Sequence, residues 1–229
     1  MRTPVVLVMA KAPVEGRVKT RLAASVGDEH AARLACAALL DTLDVCEEAF
    51  GAGRCHLAMG GRLEEVHPRE ARQLDGRLDG WTVLPQRGSG FGERLELAHR
   101  DVHAMAGAAV VQIGMDTPQV EADLLGEVAA RVAPGEPVLG LAHDGGWWVL
   151  ASPEAGDVAG LRRVPMSAPD TGLATLALLT SSGAAVVLAP VMRDVDDATD
   201  AAFVAARAPQ THFARTWRAL AGETGEQSP

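Results

Sequence analysis

Seven short runs of aliphatic and β-branched residues recur along the chain and set what it can fold into. They are PVVLVM (4–9), RCHLAMG (54–60), WTVLPQ (81–86), AAVVQIG (108–114), PVLGLA (137–142), WWVLAS (147–152) and AAVVLAP (184–190). Longer amphipathic segments separate most of them. The clearest is DEHAARLACAALLDTLDVCEEAF (28–50), where Ala31, Leu34, Ala35, Ala38, Leu39 and Leu43 recur at three- and four-residue steps and Asp28 is placed as an N-cap. ERLELAHRDVHAMA (93–106), EADLLGEVAARV (121–132) and DTGLATLALLTSS (170–182) read the same way. Several of the short runs are apolar throughout, with no alternation. A strand needs that pattern only when helices cover both faces of its sheet. The expectation is one α/β domain of three layers, α/β/α, around a mostly parallel, doubly wound sheet. The glycine pair in HDGGWWVL (143–150) joins two strand runs closely enough to expect an antiparallel or irregular excursion there.

A length of 229 residues suits one such domain, with no internal repeat and no long linker. The domain is expected over 1–222, with 223–229 as a disordered tail. The chain carries 30 acidic and 21 basic side chains, a formal net charge of −9. That balance argues against nucleic acid or an anionic membrane as partner. No run reaches the ~20 apolar residues of a membrane span. No signal-peptide pattern opens the chain. Cys36, Cys46 and Cys55 show no CxxC spacing and read as small buried hydrophobes, which fits a reducing cytoplasm.

Against this acidic background, MAKAPVEGRVKTRL (9–22) packs Arg17, Lys19 and Arg21 into the loop after the first strand run. Ligands of open α/β sheets bind beyond the carboxyl ends of the strands. Gly16 allows close approach of backbone to a ligand, and arginine matches phosphate oxygens with a planar fork. Taken alone, the loop is equally a solvated basic turn, and it is not a P-loop, since GxxxxGK[ST] is absent. Asp116 in IGMDTP follows the fourth run and either caps the next turn or faces the ligand crevice as a metal carboxylate. In PVMRDVDDATD (190–200), Asp194, Asp196, Asp197 and Asp200 either start a helix or supply a second metal ligand. Alternation along an extended piece puts Asp194 and Asp196 on one side and Val195 on the other. Of Trp147 and Trp148, one is expected in the core and the other on the opposite face, where an indole can stack on a sugar or base. Two further patterns fail: GSGFGE (88–93) has Glu93 where a dinucleotide fingerprint needs glycine, and HRDVH (99–103) has Arg100 where a zinc HExxH needs glutamate.

Together, MAKAPVEGRVKTRL, QRGSGFGERLELA, IGMDTP, HDGGWWVL, PMSAPDTGLATL and RDVDDATD occur in an order that resembles the DUF2064 family of bacterial proteins. Its members have the GT-A nucleotide-diphospho-sugar transferase fold and are read as glycosyltransferases. The resemblance runs from about residue 5 to residue 206. It implies that Arg17, Lys19 and Arg21 hold nucleotide phosphates, with Ala10, Lys11 and Gly16 in the same nucleotide site. It implies Asp116 and Asp196 as ligands of Mg²⁺ or Mn²⁺, and Gly145, Gly146 and Trp147 as the border of a sugar or acceptor pocket. By position, Asp144 is the candidate catalytic carboxylate. The chain departs from the usual pattern at Met115, at His143 and at MSA (166–168). The expected activity is a metal-dependent glycosyltransferase that takes a nucleotide sugar and a small-molecule acceptor. A nucleotidyltransferase, which takes a nucleoside triphosphate and releases pyrophosphate, and a catalytically inactive nucleotide-binding protein are the alternatives.

Overall fold

The computed structural model describes residues 2–181 and 183–225. All seven apolar runs become strands: β1 (Val5–Lys11), β2 (Cys55–Gly60), β3 (Thr82–Pro85), β4 (Val110–Gly114), β5 (Val138–Ala142), β6 (Trp147–Ser152) and β7 (Val187–Met192). Among the described residues there are eight α-helices: α1 (Thr20–Val26), α2 (Asp28–Phe50), α3 (Pro68–Asp75), α4 (Phe91–Ala106), α5 (Ala122–Val132), α6 (Thr171–Thr180), α7 (Ala198–Arg207) and α8 (His212–Gly225). The strands form one sheet in the order β3-β2-β1-β4-β6-β5-β7. β6 alone runs antiparallel, to both β4 and β5. The other pairings are parallel, as expected of a doubly wound sheet with a hairpin at the glycine pair.

The two faces of β1 explain its unbroken apolar sequence. Val6 and Val8 enter a core with Leu39 and Leu43 of α2 and Leu125 and Val128 of α5. Val5, Leu7 and Met9 enter a second core with Leu95 and Val102 of α4 and Leu179 of α6. Full burial of one such aliphatic side chain is worth about 1.5–3 kcal/mol, so polar residues on either face would be costly. A third cluster, at one end, joins Leu22, Leu34, Val204 and Phe213 from α1, α2, α7 and α8, and it also holds Val195.

Three local expectations need correction. Asp28 is not the N-cap of α2. Gly27 takes that place, and Asp28 and Glu29 sit in the first turn, where the helix dipole favours acids. Helices α1, α3 and α8 lie outside the segments read as helical. They are short or polar, and tertiary contacts hold them: Asp41, inside α2, accepts the backbone N–H groups of His212 (2.7 Å) and Phe213 (2.8 Å) at the start of α8. Helix α8 reaches Gly225, so its last turn enters the stretch expected to be disordered, and 226–229 lie outside the described residues.

The histidine pair of HRDVH is structural. His99 is fully buried, with Nδ1 against Gln112 Oε1 (2.8 Å) and Nε2 against Ser152 Oγ (3.0 Å). Burial pulls its ring down to about 4, so it stays neutral.

One turn earlier on α4, buried Glu96 accepts the Arg162 guanidinium, and its Oε2 also accepts the backbone N–H groups of Gly160 and Arg162, at 3.1 Å each. Burial alone would raise its carboxyl, but these donors outweigh it and bring it down to about 2 from an ordinary 4.5. A group depressed in the folded state contributes stability above its unfolded pKa and loses it as pH falls through the folded one. Stability is therefore expected to drop between about pH 4.5 and pH 2, and Glu96→Gln to flatten that acid limb while costing about 2–3 kcal/mol at pH 7. Urea unfolding followed across pH checks both.

Candidate functional site

The first loop leaves β1 at its carboxyl end, turns at Gly16 with φ +70°, and enters α1 at Lys19. Each of its three cations has a carboxylate partner. Arg17 meets Glu65 at 3.1 Å, Arg21 meets Asp196 at 2.8 Å, and Lys19 meets Asp116. The arginine side chains are 65% and 75% exposed, whereas that of Lys19 is 9% exposed. Exposed pairs like the first two are worth little, so an incoming anion can take over the two guanidiniums at small cost.

Next to this loop, which touches them through Arg21, Asp144, Asp194 and Asp196 each bring a carboxylate oxygen within 4.8 Å of the others. Asp144 sits in the turn between β5 and β6, fixed by the Gly146 N–H, which donates to its Oδ1 at 2.7 Å. Asp194 and Asp196 follow β7. The two segments meet because β5 pairs β7 with Ala142 beside Met192, a register extended by His143 N–H to Met192 O at 2.9 Å. Val195, between the two aspartates, is fully buried in the helical cluster, which turns both carboxylates to the opposite side. Alternation predicted that arrangement. Burial, then the charge of Asp144, then Asp196 and Asp116, push the Asp194 carboxyl up to about 6 from an ordinary 3.8.

Both features open into one cleft of about 670 Å³ at the carboxyl ends of β1 and β4. Ala10, Lys11, Arg17, Lys19, Arg21, Asp116, Asp144, Gly146, Trp147, Asp194 and Asp196 all line it. Trp148 is buried in one core and donates its indole N–H to Pro190 O (2.9 Å), while Trp147 packs half-buried against the other core and faces the cleft. Met115, at the departure beside Asp116, is buried, and its sulfur accepts the Lys11 N–H. Gly145 has a different task from Gly146. At φ +91°, a Cβ there would stand 2.0 Å from Pro169 O, so its bare backbone lets the 165–170 segment close the cleft wall. Lys19 (φ 49°) and Ser167 (φ 58°) are the non-glycine residues of left-handed backbone among those described, and both line the cleft. Each such residue stores about 1–2 kcal/mol of strain, a cost that tends to concentrate at functional sites.

The family described as "Uncharacterized protein conserved in bacteria (DUF2064)" matches residues 42–168, more than half of the chain. The chain belongs to the DUF2064 family. No curated protein matches it. Among solved structures, a "putative nucleotide-diphospho-sugar transferase" from Desulfovibrio desulfuricans G20 is 23% identical with a TM-score of 0.77, covering 99% of this chain and 96% of that one. Rv0371c from Mycobacterium tuberculosis H37Rv, solved as a complex with manganese, is 21% identical with a TM-score of 0.53, covering 89% and 98%. A cytidylyltransferase from Leptospira borgpetersenii is 9% identical with a TM-score of 0.53, covering 98% and 96%. At these identities the likeness is one of fold, and that fold is the one expected. No helix among the described residues is long and apolar enough to cross a membrane.

Within this DUF2064 chain, the acidic group that could hold a metal includes Asp196 but pairs it with Asp144 and Asp194, not with Asp116. The donor set fits a hard divalent ion. Mg²⁺ binds oxygen at about 2.0–2.1 Å in an octahedron, which places opposite ligands about 4.2 Å apart. Neighbouring ligands of such an octahedron stand about 2.9 Å apart, so three carboxylate oxygens within 4.8 Å of one another would close in on the ion by side-chain rotation. Burial first, and then the charges of Asp144, Asp196 and Asp116, raise the Asp194 carboxyl, and a bound cation would offset both effects. Two parts of the cleft were not chosen from sequence: Asp194, named there only among the acids that start a helix or supply a second ligand, and the wall of Gln86, Phe91 and Arg94. The wall lies in QRGSGFGERL, where the failed dinucleotide fingerprint was the visible sign. Gln86 donates its amide N–H groups to Ala10 O and Ala58 O, both at 2.9 Å, and so ties β3 to β1 and β2 at the cleft floor.

Proposed function

We propose that the chain is a metal-dependent transferase that uses a nucleotide-diphospho-sugar as glycosyl donor. One observation carries the reading: a basic loop and a three-carboxylate group from distant parts of the sequence line one cleft. A diphosphate has the charge and the reach to lie between them. In this reading Arg17 and Arg21 leave Glu65 and Asp196 and bind phosphate oxygens. Asp144, Asp194 and Asp196 hold the ion, which moves Asp144 from the expected role of base to that of ligand. When bound, Mg²⁺ or Mn²⁺ supplies Lewis-acid stabilisation of the charge that develops on the leaving diphosphate. The manganese complex of Rv0371c supports the choice of ion. Arg17 and Arg21 stabilise the same charge, and the wall of Trp147 and 166–169 shields the sugar from water.

Nucleotidyl transfer is the second reading, favoured by the cytidylyltransferase of the same fold. The two differ in product. A thermal-shift panel of nucleotide sugars and nucleoside triphosphates with Mn²⁺ finds the ligand, because a ligand that binds only the native state raises Tm. Product analysis with the best ligand then decides: nucleoside diphosphate supports glycosyl transfer, and pyrophosphate supports nucleotidyl transfer. Binding with no turnover would leave a nucleotide-binding protein. No shift with any nucleotide, with or without Mn²⁺, would overturn the proposal.

A further inference from the structure

Of the three cations in the first loop, Lys19 alone is withdrawn from solvent. Its side chain is 9% exposed, and its ammonium already donates to Asp116 Oδ1 and to the backbone carbonyl of Val195. The Val195 N–H donates in turn to Asp116 O at 2.9 Å. Lys19, Asp116 and Val195 thus close a ring that ties the loops after β1, β4 and β7 together. We propose that Lys19 is a positioning residue that fixes the Asp194–Asp196 turn, and is not a phosphate ligand. This rests on the reading above only in taking that turn as metal-binding.

The physics is that of a peptide held at three points. Val195 is anchored by its buried side chain, by its N–H on Asp116 and by its carbonyl on Lys19. The following peptide plane is held from both edges: the Asp196 N–H donates to Asp200 Oδ2 at 3.2 Å, and the Val195 carbonyl accepts from Lys19. Lys19 holds the carbonyl edge, and with it the direction in which Asp196 leaves the chain. The flanking carboxylates then point together at Asp144, as one ion requires. The left-handed backbone of Lys19 is a second sign. A lysine meant to reach a mobile phosphate needs only length and freedom. A lysine that must drop its ammonium between two fixed acceptors justifies a strained start to its helix.

Three roles predict different outcomes for Lys19→Met in the full-length protein. If Lys19 binds phosphate, nucleotide affinity falls and Mn²⁺ affinity without nucleotide stays. If it is only a nearby positive charge, removing it tightens Mn²⁺ binding, because it repels the ion. If it positions the turn, Mn²⁺ alone binds about tenfold or more weakly, the scale seen when groups that orient metal ligands are removed. Titration of Mn²⁺ followed by its electron paramagnetic resonance signal reads this without any substrate. Hydrogen exchange gives the independent arm: the Val195 amide is expected to exchange roughly tenfold faster or more, with β1 and β4 unchanged. Lys19→Gln, whose shorter, uncharged amide cannot reach both acceptors as the ammonium does, serves if the methionine variant does not fold. Unchanged exchange at Val195 overturns the proposal. So does faster exchange with Mn²⁺ binding as tight as in the parent or tighter. A parent protein that binds no Mn²⁺ sinks the functional reading, and the exchange result alone then decides the role of Lys19.

Discussion

Asp194→Asn is expected to melt higher than the parent in the absence of metal, and to lose both the stabilisation by Mn²⁺ and the activity. The reason lies in the crowding of carboxylates. Burial and the neighbouring charges of Asp144, Asp196 and Asp116 hold the Asp194 carboxyl up to about 6. Because that is above the unfolded value of 3.8, the folded state takes the proton more readily than the unfolded one. Lowering pH from above 6 towards 3.8 therefore stabilises the metal-free protein through this group, and at pH 7 its ionised form costs stability. Asparagine removes the charge and keeps the shape, with a gain of about 1 kcal/mol, or roughly 2–4 °C in Tm for a chain of this size. The same change deletes one of three ion ligands, so Mn²⁺ affinity should fall at least ~100-fold. In the parent, Mn²⁺ binding should weaken as pH drops below about 6, since the proton and the ion compete for one carboxylate. Differential scanning calorimetry with and without Mn²⁺ checks the pair of effects. A variant that melts lower without metal and still gains from Mn²⁺ would show that Asp194 is neither strained nor a ligand.

Gly145→Ala should cost the most stability of any single methyl group added near the cleft. The new Cβ would meet Pro169 O at 2.0 Å and Pro169 C at 2.5 Å, both main-chain atoms that cannot swing aside, and φ is +91°. Relief requires moving the 165–170 segment or the Asp144 turn, and the Gly172 N–H to Gly145 O bond (2.7 Å) joins the two. A loss of about 3 kcal/mol or more follows, roughly 6–12 °C in Tm. Gly146→Ala is the control. Its Cβ would meet the Asp144 side chain, with Oδ1 at 3.0 Å, and no left-handed backbone is involved. It should melt within a few degrees of the parent but bind Mn²⁺ more weakly, because the displaced group is one of the proposed ligands. Thermal melts of the two variants side by side check this, and equal losses would mean that the turn tolerates no change at all.

The inner strands were legible because burial on both faces leaves an unbroken apolar run, whereas the edge strands β3 and β7 are largely exposed and showed only their aliphatic and β-branched composition. The reversal at β6 was legible because two glycines cannot be a crossover. Helix α1 was not, because the seven residues TRLAASV follow a basic loop and expose most of one side, leaving Leu22 as the buried residue. The site was legible in pieces. Asp116, Asp144 and Asp196 each end or follow a strand run, and the eye can find them. Which of them meet is decided by the register of β5 on β7, a pairing between residues about fifty apart in sequence. That is why Asp196 was coupled to Asp116, and why Asp194, one pleat repeat away, was not chosen. Lys19 could not be told from Arg17 and Arg21, because its seclusion comes from the meeting of three loops.

The reversed strand has a consequence for how this architecture can diverge. A parallel strand reaches its neighbour through a crossover long enough to absorb extra residues. β5 reaches β6 through His143–Gly146 alone. Inserting one residue there while β6 keeps its pairings has no slack to use, and letting β6 slip by one instead exchanges the sides of its side chains. Trp147 would turn into the core that Trp148 fills, and Trp148 would swing out over the opening. Related chains should therefore keep the number of these four positions, and glycine at Gly145 where backbone and Pro169 leave no room for a side chain, while His143 is free to vary.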